Sequence, residues 1–395
     1  MERQQQKRNP KVEALRLVAI GGIAIFHTFV PWFNKLAYGA PSLAQTDIVR
    51  SSWIGLFLLG NINLLGAMGN TIFFMISGYF LLPSMVHSSY HGGYWKKQLM
   101  KTIRRSVVIV TTVIVYGLLT YLLVRFCSIP GPDFHTTRWL VMDLEFVWLY
   151  LLFVLIAPVI AWIQARFYRQ WRLIVFCSLI LIFIVNMYIA FCSQGGVNHT
   201  LTGWRKWASA VTYLVGFCLV GLDDFHAVSR FIAHVSLWGV IILSILIEAV
   251  LALFHLPVLI GDISFKSTSL LSFALAYFAL ALSVTEKRPL GRHSITQHAK
   301  HSYRTISKTD NTIRMLAAGI LGFYIFQSML THMWHSFIIP FLNNFVTLPG
   351  GNKSVRIIVF VCLGILFSLL YATLILLLDH YVRQPITQLL ASRFH

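Results

Sequence analysis

Of the 395 residues, 57% are hydrophobic and only 11% are charged, less than half the charged share of an ordinary soluble domain. That excludes a soluble globular enzyme. The formal net charge of +19 would suit a nucleic-acid partner, but most of the 32 Lys and Arg fall in the two terminal segments and in alternate loops. This is the pattern of the positive-inside rule, so no nucleic acid is implied and the bilayer is the first partner.

Crossing ~30 Å of hydrocarbon takes about 20 apolar residues. Ten stretches qualify, near residues 13–33, 53–82, 106–126, 140–163, 173–192, 204–222, 231–254, 268–285, 315–334 and 357–378. The predicted fold is an all-α polytopic membrane helix bundle of about ten transmembrane helices, with both termini cytoplasmic. One domain holds a basic tail (1–11), the ten-helix region (12–378) and a C-terminal tail (379–395). The first span has no small-residue cleavage site after it and reads as an uncleaved start-transfer helix.

That first span, VEALRLVAIGGIAIFHTFVPWF from Val12 to Phe33, carries Glu13, Arg16 and His27. At ~1.5 Å rise and ~100° per residue, His27 lies ~16 Å beyond Arg16 and only ~20° off its face. Ionisable groups inside a bilayer are costly and are functional candidates by default. The alternative is that Arg16 snorkels to the interface and His27 is a packing residue. Glu13 is placed either to orient Arg16 by a charge-assisted hydrogen bond or simply to match the helix dipole.

The second span contains Asn70-Thr71-Ile72-Phe73-Phe74-Met75-Ile76-Ser77-Gly78-Tyr79-Phe80. Small residues there permit close backbone approach, and the aromatics build a wall. At the mouth of the third span, between Trp95 and Arg105, stand Lys96, Lys97, Lys101, Arg104 and Arg105. Such a cluster suits phosphate oxygens, and equally the positive-inside signal and anionic headgroups. Lys101 and Arg104 are helical neighbours, whereas Arg105 points about 100° away.

Later features are less specific. The polar, basic stretch 286–314 reads as a solvated cytoplasmic excursion or a cap over a cytoplasmic site. External loops are expected at 34–52, 127–139, 193–203 and 335–356. Glu248 is an acid well inside the seventh span, able to pair with a cation or to stay protonated. Tyr150, Asn186 and Tyr188 suit interhelical hydrogen bonds or a substrate contact. The five cysteines lack paired spacing, so neither a disulfide framework nor a metal site is implied.

The string Glu13-Ala14-Leu15-Arg16, the ten-residue gap to His27 and the Phe73-Phe74-x-x-Ser77-Gly78-Tyr79 string together resemble the acyltransferase-3 family of integral membrane acyltransferases. Weaker likenesses are Lys101 to Arg104, Phe146 to Pro158, Tyr213 to Phe217 and Leu321 to Gln327, so the resemblance spans about residues 10–390. One departure stands in the ninth span, where Gln327 replaces a histidine common in the family, with His332 five residues on.

The resemblance implies an O-acetyltransferase that moves an acetyl or other short acyl group from acetyl-coenzyme A (acyl-coenzyme A) to a hydroxyl of an extracytoplasmic glycan, lipid-linked saccharide or envelope polymer. It implies His27 as the base, with Arg16 and Glu13 as catalytic neighbours. Lys101, Arg104 and Arg105, with Ser77 and Tyr79, would hold the donor; no metal is involved. A bacterial plasma-membrane location rests on the resemblance alone. The competing reading is a proton-coupled secondary transporter using Arg16, His27 and Glu248, against which stands the lack of an internal repeat.

Overall fold

The structure is a computed structural model that describes residues 9–192, 202–265, 268–285, 308–347 and 351–386. Among the described residues, helices overlap the expected apolar stretches: α1 (Pro10–Tyr38), α2 (Trp53–Ser89), α3 (Tyr94–Cys127), α4 (Glu145–Arg166), α5 (Tyr168–Phe191), α6 (Thr202–Leu219), α7 (Arg230–Leu253), α8 (Leu270–Val284), α9 (Ile320–Thr347) and α10 (Lys353–Leu378). No strand occurs among the described residues. Seven of these helices are each long and apolar enough to cross a bilayer, and α9 joined to the preceding Asn311–Ala317 across a 49° bend makes an eighth. The remaining two, α6 and α8, are shorter apolar helices. A bundle that spans the membrane several times is therefore built from helix alone, which satisfies backbone polar groups without water.

Local chemistry sets the ends of α1. The Asn9 side chain accepts from the Lys11 amide and Pro10 fills the first turn, where its missing N–H costs nothing. At the other end Gly39 adopts φ +63° and closes the helix. Within it, Pro31 cannot donate to the carbonyl four residues back, which is that of His27.

Helix α2 is the axis of the bundle. Of its most apolar window 67% is buried inside the protein, against 17% for α7, which therefore faces lipid. Two glycines let neighbours close on it: a Cβ at Gly69 would overlap the Ala19 carbonyl of α1, and one at Gly78 would overlap the Phe217 carbonyl of α6. Polar cross-links then fix rotation. Thr28 of α1 accepts from Trp334 Nε1 of α9 at 2.9 Å and from Ser368 Oγ of α10 at 2.7 Å, all three buried.

Several boundaries differ from expectation. Residues 335–347 are not loop but the second half of α9, because Asn343 is used as a bracket: its Oδ1 accepts from Trp32 Nε1 and the Gln45 amide, and its Nδ2 donates to the Leu43 carbonyl. Helix α3 starts at Tyr94, so the basic cluster rides on three helical turns. Of the excursion 286–314, the part from Lys308 is helical (Lys308–Ala317), and 286–307 lies outside the described residues.

The C-terminal tail also departs from expectation. Residues 379–386 continue α10 through a π-helical turn, Asp379–Arg383, instead of hanging free. Asp379 is fully buried and accepts from Tyr116 Oη (2.6 Å), Arg383 Nε (2.5 Å) and Nη2 (2.8 Å), and Gln384 Nε2 (3.2 Å). Four donors disperse one carboxylate's charge, which is how a buried ion pair is tolerated.

Candidate active site

Two cavities are strung along α1. The smaller, about 150 Å³, is lined by Arg16 with Phe73, Ile76 and Ser77 of α2, Tyr150 of α4, and the elbow Ala317, Ala318 and Ile320. Arg16 Nη1 lies 3.0 and 2.9 Å from the two oxygens of Glu13, one turn earlier on the same helix and fully buried. The guanidinium carbon sits 5.3 Å from the Phe80 ring centre, a cation–π contact. So Arg16 is held by an acid on one side and a ring on the other, leaving its remaining N–H groups to serve the cavity.

Tyr150 feels the charge of both Arg16 and Arg105. Arg105 is turned inward on α3, and its buried Nη1 has no hydrogen-bond partner. Two guanidinium groups thus converge on this end of the bundle. By contrast, Lys101 and Arg104 lie on the exposed face of α3. Ser77 lines the cavity and donates to the Phe73 carbonyl (2.9 Å), while Tyr79 stands edge-on to Phe80 and Phe225 outside it. The Ser-Gly-Tyr string therefore splits: Ser77 faces the cavity, Gly78 packs against α6, and Tyr79 packs elsewhere.

The larger cavity, about 300 Å³, contains His27. Its wall combines the amides of Asn34, Asn63, Asn70 and Gln327 with the carboxylates of Asp143 and Glu145. Tyr213 and Tyr324 also line it, and the buried Tyr324 hydroxyl has no hydrogen-bond partner. Burial pushes the Asp143 carboxyl above its ordinary range, with His332 and Arg138 pulling weakly the other way. Volume and lining match a pocket for a polar ligand of roughly sugar size.

His27 is held by its backbone. Its carbonyl, which lost its helical donor to Pro31, accepts instead from His335 Nε2 of α9 at 2.8 Å. A carbonyl only accepts, so His335 carries its proton on Nε2. The ring of Phe26 meets that of His27 edge-on at 5.2 Å.

Between the cavities lies a layer of rings. Phe73 lines the Arg16 cavity, whereas Phe146 and Tyr324 line the His27 cavity. Their centroids are 4.9 Å (Phe73 to Tyr324), 5.1 Å (Phe73 to Phe146) and 4.3 Å (Phe146 to Tyr324, stacked), with Phe73 also 4.9 Å from Tyr150. These are contact distances for aromatic pairs, so residues from the two linings pack directly against one another.

Glu248 belongs to neither chamber. It is fully buried on α7 against Gly60 and Ile260, with neither oxygen hydrogen-bonded, so the Arg16, His27 and Glu248 constellation expected of a proton-coupled transporter is not assembled. Asn186 is buried and Tyr188 is exposed on α5. Residue spacing alone did not single out Asp143, Glu145, Asn34, Asn63 or His335. Asn70 and Tyr324 lie inside the strings Asn70–Phe80 and Leu321–Gln327. For His335 a signal existed: a proline four residues after a candidate histidine leaves a carbonyl to be satisfied.

Compared with known proteins, residues 9–377 match a family model described as an acyltransferase domain. No curated protein and no solved structure gives a significant match.

Proposed function

Because the chain belongs to the acyltransferase-3 family over nearly its whole length and is therefore a membrane acyltransferase, we propose that it moves an acetyl or other short acyl group from acyl-coenzyme A to a hydroxyl of an extracytoplasmic glycan, glycolipid or envelope polymer. One observation carries this reading: a single helix presents Arg16 to one cavity and His27 to another, with one ring layer between them.

The chemistry follows from the two ends. A coenzyme A thioester is polyanionic and needs cations, which Arg16 and Arg105 supply at the end of the bundle assigned to the cytoplasm by the charge distribution. A glycan hydroxyl needs a base near neutral pH, which histidine supplies. His27 takes the hydroxyl proton as the oxygen attacks the thioester carbonyl carbon. The carbon–sulfur bond then breaks, and the departing thiolate recovers the proton from His27. The amides and acids around His27 are suited to hold an acceptor rich in hydroxyl groups. Glu13 keeps Arg16 in place through its two contacts near 3 Å.

The test uses purified protein in lipid with radiolabelled acetyl-coenzyme A and a panel of glycans. Wild type should label an acceptor, and His27→Ala should lose at least about 100-fold in kcat, the usual contribution of a general base. Undiminished labelling by His27→Ala would remove His27 from the chemistry. Absence of labelling from any acyl donor would remove the whole reading.

A further inference from the structure

From the ring layer we infer that Phe73, backed by Phe146 and Tyr324, sets the length of acyl chain the protein transfers. The inference rests on the donor and acceptor assignments proposed above. On those assignments the acyl carbonyl passes this layer to reach the acceptor oxygen, because Phe73 lines the Arg16 cavity, Phe146 and Tyr324 line the His27 cavity, and the three rings touch.

The layer is tight and unequal. Phe146 and Tyr324 stack at 4.3 Å with their planes only 13° apart, and Phe146 also lies 4.8 Å from Phe74. Those rings are fixed on several sides by other aromatics. Phe73 is buried among four rings too, but it alone of the three borders the Arg16 cavity, so it has open space into which to turn. Turning into that space is the motion its surroundings leave to it. It would vacate one ring's width, enough for two carbons beside a carbonyl, while each further methylene would have to displace the stacked pair. Close packing makes that displacement costly.

The step itself is the one already written, with the hydroxyl proton passing to His27 and the carbon–sulfur bond breaking. Phe73 takes no part in it; it determines which acyl group reaches the carbonyl position. Phe73 and its neighbours are thus specificity-determining residues, and the lone buried hydroxyl of Tyr324, facing the acceptor side, is the one polar group the layer offers to a passing carbonyl oxygen.

The experiment measures kcat/KM for acetyl-, butyryl- and hexanoyl-coenzyme A with a fixed acceptor, using wild type, Phe73→Leu and Phe73→Trp in lipid. Wild type should favour acetyl over butyryl by at least about tenfold, in line with the discrimination a pocket achieves per one or two methylenes. Phe73→Leu should narrow that ratio about tenfold, and Phe73→Trp should slow transfer of every acyl group, butyryl and hexanoyl more than acetyl. Phe146→Leu is the second route to the same widening if Phe73 variants misfold. Acetyl transfer with an unchanged chain-length ratio in both Leu variants overturns the inference and leaves the acyltransferase reading standing. No transfer by wild type from any donor overturns both.

Discussion

His335 of α9 donates to the backbone carbonyl of His27 at 2.8 Å, replacing the helical bond that Pro31 cannot make. The contact fixes α1 at His27, and Thr28, bonded to Trp334 and Ser368, repeats the fixation one position on. His335→Leu leaves a buried acceptor unsatisfied and should cost about 1–3 kcal/mol of stability, with a fall in kcat larger than any change in KM. His335→Gln should recover part of it. Pro31→Ala restores an amide four residues after His27, so His335→Leu/Pro31→Ala should regain most of the loss in a double-mutant cycle of thermal melts and rates. Strict additivity would show that the His335 bond is incidental.

Arg16 and Glu13 form the second testable pair. Removing the cation leaves a fully buried carboxylate without its partner, so Arg16→Ala should destabilise by about 3–5 kcal/mol, whereas Glu13→Gln/Arg16→Ala should be considerably milder. Arg16→Lys keeps charge but loses the planar fork, and should raise donor KM while leaving the fold intact. Detergent-phase melting and initial rates decide it; equal losses in the single and double variants would count against the pairing.

The basic cluster of α3 divides into an inward and an outward part. Arg105→Ala should raise the KM for acyl-coenzyme A about tenfold, and Lys101→Ala/Arg104→Ala, on the exposed face, no more than about threefold. A reversed order would place the donor phosphates on the outer face of the helix instead.

Asp143 gives a pH dependence with a definite sign. Burial raises its carboxyl above the unfolded value, so the folded state prefers the neutral acid. Stability is unpenalised below the unfolded pKa and declines as pH rises through the folded one. Asp143→Asn should therefore melt higher than wild type at neutral and alkaline pH, with the two curves converging in acid. A gap that widens on acidification would contradict this.

Much of the bundle was legible because membrane helices announce themselves by length and hydropathy, and α1 stood out by carrying Arg16 and His27 in an otherwise apolar run. What could not be read was which polar residues in loops and helix ends turn inward. Asp143 and Glu145 sit at the start of a span and resemble ordinary interfacial acids; only the tertiary packing puts them in the wall of the cavity that holds His27. Lys101, Arg104 and Arg105 have like chemistry in sequence, and only the face that α3 presents to its neighbours separates them. The stretch 335–356 reads in sequence as an external loop, yet the Asn343 bracket to residues 43–45 keeps the helix running to Thr347.

The buried turn at Asp379 and Arg383 reaches back across the sequence: Arg383 Nη2 donates to the Ala318 carbonyl at 3.4 Å, and Ala318 is a wall of the Arg16 cavity. A chamber whose first residue is the sixteenth is thus finished by the three hundred and eighty-third. During synthesis the early helices enter the bilayer long before that brace exists, so a nascent or prematurely terminated chain carries Arg16 and His27 but no complete Arg16 cavity. Trimming the protein before Asp379 removes the brace and should yield an inserted bundle whose Arg16 cavity is unfinished.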